Sequence, residues 1–444
     1  MTAPARPANP ADLLRNRRYL ALLVLSAALG VVVSFAAYWF LKAIAEVNAW
    51  TFTDLPHGLS LDPVPTWWPI VPLGVAGLAV GFIVRAAPGG GGEVPIEGFK
   101  PGGVTPPGHL LGIALAALAS IGLGAVVGPE GPLIALGGGL AYLLIWIRNR
   151  DVPAQTGLMV AATGSFAAVS TLLGSPILGA ILLLEASGLG GVTASVALVP
   201  GLLGAGIGSL VFVGLDAWTG FGTFSLTVPN LAAVGRPTVA GIAWAVAVGL
   251  AGAALCQVIH LLARRLLALV ERRVVLITAL VGLATGALAI LYNQRTGHSA
   301  ADVLFSGQAA LPGVIQNSAS YSVGALLLLI LCKGLAYIGG LSSFRGGPTF
   351  PAMFIGAAGG IALSHLPGLA VVPGAAIGVA AMTVAILRLP ITTVLLTAVF
   401  FGNDGIALTP LIIVAVVVSY VTSVWLDDAV GRRADDGART TRGG

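Results

Sequence analysis

Glu130 stands in Gly128-Pro129-Glu130-Gly131-Pro132, a break between an apolar run at 108–127 and another at 133–147. No lysine or arginine lies near it in sequence. A lone carboxylate at membrane depth is costly, and such a group as a rule faces an ion or proton pathway. Pro132 suits the first turn of a helix, and Gly128 and Gly131 let backbone come close to a ligand. A helix start exposes unpaired N–H groups with partial positive charge, which attract anions. The break therefore sets an anion-attracting helix end beside a protonatable acid. The plain alternative is a tight turn between two spanning helices, with Glu130 at headgroup level.

Other residues carry weaker chemistry. Ser343–Pro351 (SFRGGPTFP) is a second glycine–proline break inside membrane sequence. Pro88–Gly98 (PGGGGEVPIEG) looks like a phosphate-cradling loop, but no strand precedes it, so it reads as a turn or as a second backbone anion nest. Glu185 ends an apolar segment opened at Gly174-Ser175-Pro176. It reads either as a proton acceptor near the cytoplasm or as an acid at a helix end by the interface. Lys333, Arg345 and Arg388 either raise the local potential for anions or pair structurally. Cys256 and Cys332 sit in apolar runs and read as small core residues, not a disulfide. The histidines at 57, 109, 260, 298 and 365 lack metal-ligand spacing, and no ATP-binding loop or nucleophile–base set occurs. These patterns speak against an enzyme, a metal site, a cofactor and a primary pump.

The elements that must hold these residues are membrane helices. The chain is 57% hydrophobic and 9% charged, whereas a soluble domain is about a quarter charged. Mean hydropathy is +0.97. Apolar stretches near the ~20 residues that a spanning helix needs recur throughout, as at 20–41, 192–214, 237–270 and 274–292. Pieces at 352–364, 370–387 and 391–401 are short, as expected of broken or re-entrant helices. Strand alternation of the barrel type is absent. The predicted class is an all-α polytopic membrane protein lying in the lipid bilayer.

The net charge of +5 reflects topology, not nucleic acid. Arg6, Arg15, Arg17 and Arg18 lie in one tail, and Arg432, Arg433, Arg439 and Arg442 in the other. By the positive-inside rule both termini are cytoplasmic. The organisation expected is a tail with a short helix at 1–18, a membrane half at 19–214 and a connecting loop at 215–236. A second membrane half at 237–427 and a cytoplasmic tail at 428–444 complete it.

The halves rhyme. The break ending at Pro132 is followed by a helix with Gly137, Gly138 and Gly139, and the break ending at Pro351 by one with Gly356, Gly359 and Gly360. Pro176 then opens PILGAILLLE, and Pro390 opens PITTVLLTAV. Breaks at matching places in two halves point to a substrate site at the repeat interface. Sequence leaves open whether the halves are parallel or inverted.

At these residues the sequence resembles the CLC family of chloride channels and proton–chloride exchangers. GPEGP, SFRGGPTFPAMFIGAAGG, SPILGAILLLE and LRLPITTVLL match four family motifs in order, over roughly residues 20–425. The resemblance implies a two-half inverted repeat with many tilted and broken helices, a homodimer, and one anion pathway per subunit in a bacterial-type plasma membrane. It makes Glu130 the gating and proton-carrying glutamate. It assigns anion contact to the amides near Gly128 and Gly131 and near Thr349 and Phe350. Departures are visible too. Gly91 or Gly92 stands where the family has an anion-binding serine, Pro348 lacks an amide, and Ala186, next to Glu185, takes the place of the exchangers' inner glutamate. The family's paired cytoplasmic regulatory (CBS) domains are absent. The leading expectation is a chloride channel or uncoupled transporter gated by Glu130. The alternatives are a proton-coupled antiporter for chloride, nitrate or fluoride and, from another class, a cation–proton antiporter.

Overall fold

The computed structural model describes residues 17–98, 103–187, 191–220, 227–229, 231 and 237–442. Its main helices in chain order are α1 (Arg17–Ala49), α2 (Ile70–Ala86), α3 (Leu110–Gly122), α4 (Glu130–Arg148), α5 (Ala154–Leu173), α6 (Pro176–Ser187), α7 (Gly191–Thr219) and α8 (Val239–Arg272). After these come α9 (Val274–Thr296), α10 (Leu311–Gln316), α11 (Val323–Ser343), α12 (Thr349–Leu363), α13 (Val371–Leu387), α14 (Pro390–Phe400) and α15 (Asn403–Arg442). Among the described residues eight helical stretches are long and apolar enough to cross a membrane. The helices α2, α3, α6, α12, α13 and α14 are apolar but shorter, as the short pieces in the sequence predict.

The chain forms two compact units. One comprises Met1–Lys42, Lys100–Leu111 and Leu133–Ser225. Within it α5 packs on α6 and α7. Gly137 of α4 and Gly164 of α5 meet backbone to backbone, so that a methyl group on either would strike the other's carbonyl. The other unit comprises Ala43–Phe99, Gly112–Pro132 and Leu226–Gly444. Here α2 packs on α9, α12 on α13, and α8 on α13 and α15.

Local chemistry explains several helix ends. Thr238 accepts the Gly241 N–H through its hydroxyl at 3.1 Å, and Ser322 accepts that of Ala325 at 3.1 Å, so α8 and α11 start with capped donors. Gly174 ends α5 in the left-handed conformation at φ 61°, and Pro176 opens α6 two residues later. Arg388 ends α13 the same way at φ 59°, and Pro390 opens α14. The sequence rhyme at these two places is thus a shared device: a left-handed residue turns the chain, and a proline whose missing N–H is harmless starts the next helix. Arginine is an unusual occupant of that conformation, and an ion pair to Asp427 at 2.8 Å holds it there.

Helix α11 shows how membrane sequence inverts the soluble pattern. Leu327, Leu331 and Leu335 form an exposed apolar stripe, while the buried face carries Cys332 and Lys333. The fully buried Lys333 ammonium donates to the carbonyls of Asp302 (2.9 Å), Val303 (3.2 Å) and Leu304 (3.0 Å) and lies 4.3 Å from the Phe354 ring centroid. Those carbonyls belong to an irregular turn with few other donors, so the lysine serves structure.

Two boundaries extend past the expected ones. Helix α7 runs on to Thr219, whose hydroxyl hydrogen-bonds that of Tyr38 in α1. Helix α15 continues to Arg442 through residues expected to form a tail, because extending a formed helix fixes one residue per new hydrogen bond.

Helices α12 and α13 approach each other closely. A methyl on Gly356 would run into the Gly378 carbonyl, and one on Gly360 into that of Gly374. Small residues spaced in this way let membrane helices pack on backbone. Gly360→Val should therefore cost about 1–3 kcal/mol or more through overpacking and lower the melting temperature in detergent. Gly334→Ala, where nothing lies within 4 Å of the added methyl, should leave it unchanged or raise it slightly. Equal melting temperatures for Gly360→Val and the parent would refute the close packing.

Candidate functional site

The site is built from two loops that each end in a helix start. Gly128 lies two residues before α4 and Gly347 two residues before α12. The pair forms an isolated antiparallel bridge: the Gly128 N–H donates to the Gly347 carbonyl at 2.7 Å, and the Gly347 N–H to the Gly128 carbonyl at 2.5 Å. These bonds satisfy backbone groups that lie beyond any helical ladder. They also hold the first turns of α4 and α12 side by side.

Glu130, the first residue of α4, is 2% exposed. Its side chain folds back over the bridge, and a Cβ on Gly128 or on Gly347 would overlap the carboxylate. Both glycines are therefore required by space. Oε1 accepts the Thr349 N–H at 2.6 Å, and the backbone of Phe350 also faces the carboxylate. Among the described residues no lysine or arginine pairs with it. A carboxylate thus occupies the N-terminus of α12, where unpaired amides and the helix dipole favour a negative charge. Oε2 has no hydrogen-bond partner, and neither has the Thr349 hydroxyl.

Surrounding groups fix the loop of α12. The Tyr337 hydroxyl, on α11, donates to the Pro348 carbonyl at 2.6 Å. The Arg345 N–H donates to the Ser120 hydroxyl at 3.0 Å, its Nε to the Gly90 carbonyl at 3.1 Å, and its Nη1 to the Phe344 carbonyl at 3.3 Å. Arg345 thereby ties the glycine-rich turn at Pro88–Gly91, with Gly89, Gly90 and Gly91 all at positive φ, to the second break. Its guanidinium is committed to carbonyls, as Lys333 is, so both cations have structural partners.

Of the residues singled out from the sequence, the structure brings together Gly128, Glu130, Gly131, Thr349 and Phe350. Gly131 sits within the first turn of α4 against the Gly346 carbonyl. Gly92 has φ 103°, faces Ile113, and donates its N–H to the Gly89 carbonyl at 3.1 Å. That amide is already engaged within its own turn. Glu185 lies in the last turn of α6, half-buried, in the other compact unit. Gly347 and Tyr337 were not singled out from the sequence. Gly347 could have been noticed as the counterpart of Gly128, two residues ahead of the second helix start, whereas nothing local marks Tyr337. Among the described residues no three histidine, cysteine or acidic side chains are placed to share a metal ion.

Several known proteins resemble this chain in sequence or fold. The family model described as voltage gated chloride channel matches residues 96–424. A protein of Escherichia coli O17:K52:H18, YfeO, which carries a provisional name as an ion-transport protein, is 24% identical over 361 residues, covering 80% of this chain and 82% of its own. The YfeO of Escherichia fergusonii matches to the same extent. Among solved structures, a slow cyanobacterial chloride/proton antiporter superposes with TM-score 0.72 at 19% identity, over 93% of this chain and 99% of its own. A CLC-type fluoride/proton antiporter gives TM-score 0.63 at 19% identity, over 91% and 95%. A eukaryotic CLC transporter gives 0.67 at 17%, over 92% and 74%. These likenesses establish the fold, and the family match spans most of the chain. With a buried carboxylate seated at a helix N-terminus between two paired breaks, this polytopic helical membrane protein belongs to the CLC family of chloride channels and transporters.

Proposed function

We propose that this chain moves chloride, or a similar small monovalent anion, across a bacterial-type plasma membrane, with Glu130 as its gate. The observation that carries the reading is the 2.6 Å hydrogen bond from the Thr349 N–H to the Glu130 carboxylate. A carboxylate is an anion, so it holds the place that a permeant anion would take at the start of α12. Protonation or rotation of Glu130 frees that place. The amides near Gly128 and Gly131 and those of Thr349 and Phe350 then contact the anion. They provide a site without a full positive charge, which lets a bound ion leave again. The process is transport and needs no chemical turnover.

A second reading is proton-coupled exchange of chloride, nitrate or fluoride. It is favoured by the likeness in fold to chloride/proton and fluoride/proton antiporters. Ala186, where the resemblance puts the exchangers' inner glutamate, weighs against it, and Glu185 would have to receive protons by a shifted route. We further propose a homodimer with both termini cytoplasmic, on the family resemblance and on the arginines at each end of the chain.

Two measurements test these readings. Chloride uptake into liposomes containing the full chain should be robust, and a pH gradient should not drive it if the protein is uncoupled. Proton movement in fixed ratio to chloride would select the exchanger instead, and no anion flux at all would end both. In the same assay, Glu130→Gln should raise flux at neutral pH and flatten its pH dependence, because a neutral amide neither competes as an anion nor titrates. Flux in the wild type should rise as pH falls, as the carboxylate takes up a proton and leaves the site. Retained pH dependence in Glu130→Gln would remove Glu130 from the gate.

A further inference from the structure

Two polar atoms at the start of α12 lack partners. One is Oε2 of Glu130 and the other is the hydroxyl of Thr349. Their residues are 2% and 3% exposed. A buried polar group without a hydrogen bond is costly, and each instance in a folded protein calls for a physical explanation. Several buried threonines among the described residues need no such explanation, because their hydroxyls are paired. Thr163, Thr285 and Thr393 donate to the carbonyl four residues earlier, at 3.0, 2.9 and 2.8 Å. Thr349 is the first residue of its helix, so no helical carbonyl lies behind it to accept. Thr51, Thr278, Thr383 and Thr397 also have unpaired hydroxyls, but they lie inside helical segments. Thr349 differs in that its own backbone N–H holds one oxygen of a carboxylate whose other oxygen is unpaired as well. The Thr349 hydroxyl lies beside the Glu130 carboxylate.

We propose that the Thr349 hydroxyl is a direct donor to the transported anion, completing with its own N–H a two-donor grip on the place that Glu130 fills in this structure. The inference rests on the anion-transport reading above and adds a side-chain ligand to it. When the carboxylate leaves, a halide-sized ion settles at the Thr349 N–H, and the hydroxyl rotates about its C–O bond to donate to it. A hydroxyl donor favours small anions with concentrated charge, such as fluoride and chloride, over large diffuse ones such as thiocyanate. The second donor therefore sets selectivity as well as affinity.

The test uses the full chain in liposomes, with Glu130→Gln as the background so that the carboxylate no longer competes. Thr349→Val keeps the backbone amide and nearly the same shape but deletes the hydroxyl. It should raise the half-saturating chloride concentration about tenfold or more, the size expected when one hydrogen bond to a charged partner is lost. It should also shift preference from chloride towards thiocyanate, with a smaller change in maximal rate. Thr349→Ser should restore half-saturation to within about twofold of the background. Calorimetric titration of chloride into the two purified proteins in detergent reads the same loss without relying on flux. Chloride flux in the background protein with half-saturation unchanged in Thr349→Val would overturn the hydroxyl assignment and leave the transport reading intact. A lower maximal rate in both Thr349 variants at unaltered half-saturation would overturn it too, by showing a packing role. No chloride flux in the wild type or the background would remove the transport reading and this inference together.

Discussion

Two hydrogen bonds between Gly128 and Gly347 govern the site. Each glycine precedes a helix start by two residues, so the bridge aligns two N-termini that lie far apart in sequence. The alignment decides what the Glu130 carboxylate can reach. It lies over the bridge, with no side chain on either glycine to displace it, and meets the Thr349 amide of the opposite loop. A negative group at a helix N-terminus is favoured by the unpaired amides and the dipole together. Under the proposed function a small anion competes with the carboxylate for the same place, and that competition is the gate.

The rest of the second compact unit keeps that bridge in register. Tyr337 holds the Pro348 carbonyl, and Arg345 joins the second break to Ser120 and to the glycine turn at Pro88–Gly91. Lys333 caps the irregular turn at 302–304 and reaches the Phe354 ring on α12. Beneath these, α12 packs on α13 through glycines on both helices. The cations in this region are bound to carbonyls of the scaffold, and the Glu130 carboxylate meets the Thr349 backbone amide instead. A site made of partial charges holds an ion less firmly than a site with a fixed cation, and transport depends on that moderation.

Much of this was legible in the chain. Composition set the membrane class, because so few charges over so many apolar residues cannot form a soluble domain. The two glycine–proline breaks located both helix starts, and the isolated acid at 130 marked one of them. Prolines at 176 and 390 marked where α6 and α14 begin. The Gly92 amide was less legible. A run of glycines shows that the backbone turns tightly, yet which N–H remains free depends on the turn formed, and here Gly89 takes it. Lys333 and Arg345 were equally ambiguous until their partners came into view.

The sequence by itself determined the local elements: which segments are apolar helices, where glycine and proline interrupt them, and where an acid sits at an interruption. These follow from short-range chemistry, since helical hydrogen bonds, caps and turns involve residues within a few positions of each other. Only the tertiary structure decided that the first break meets the second, that the carboxylate reaches an amide 219 residues away, and that the Thr349 hydroxyl is left without a partner. Those contacts are set by how α11, α12 and α13 pack, and shape complementarity between distant helices is not encoded in any short stretch of residues.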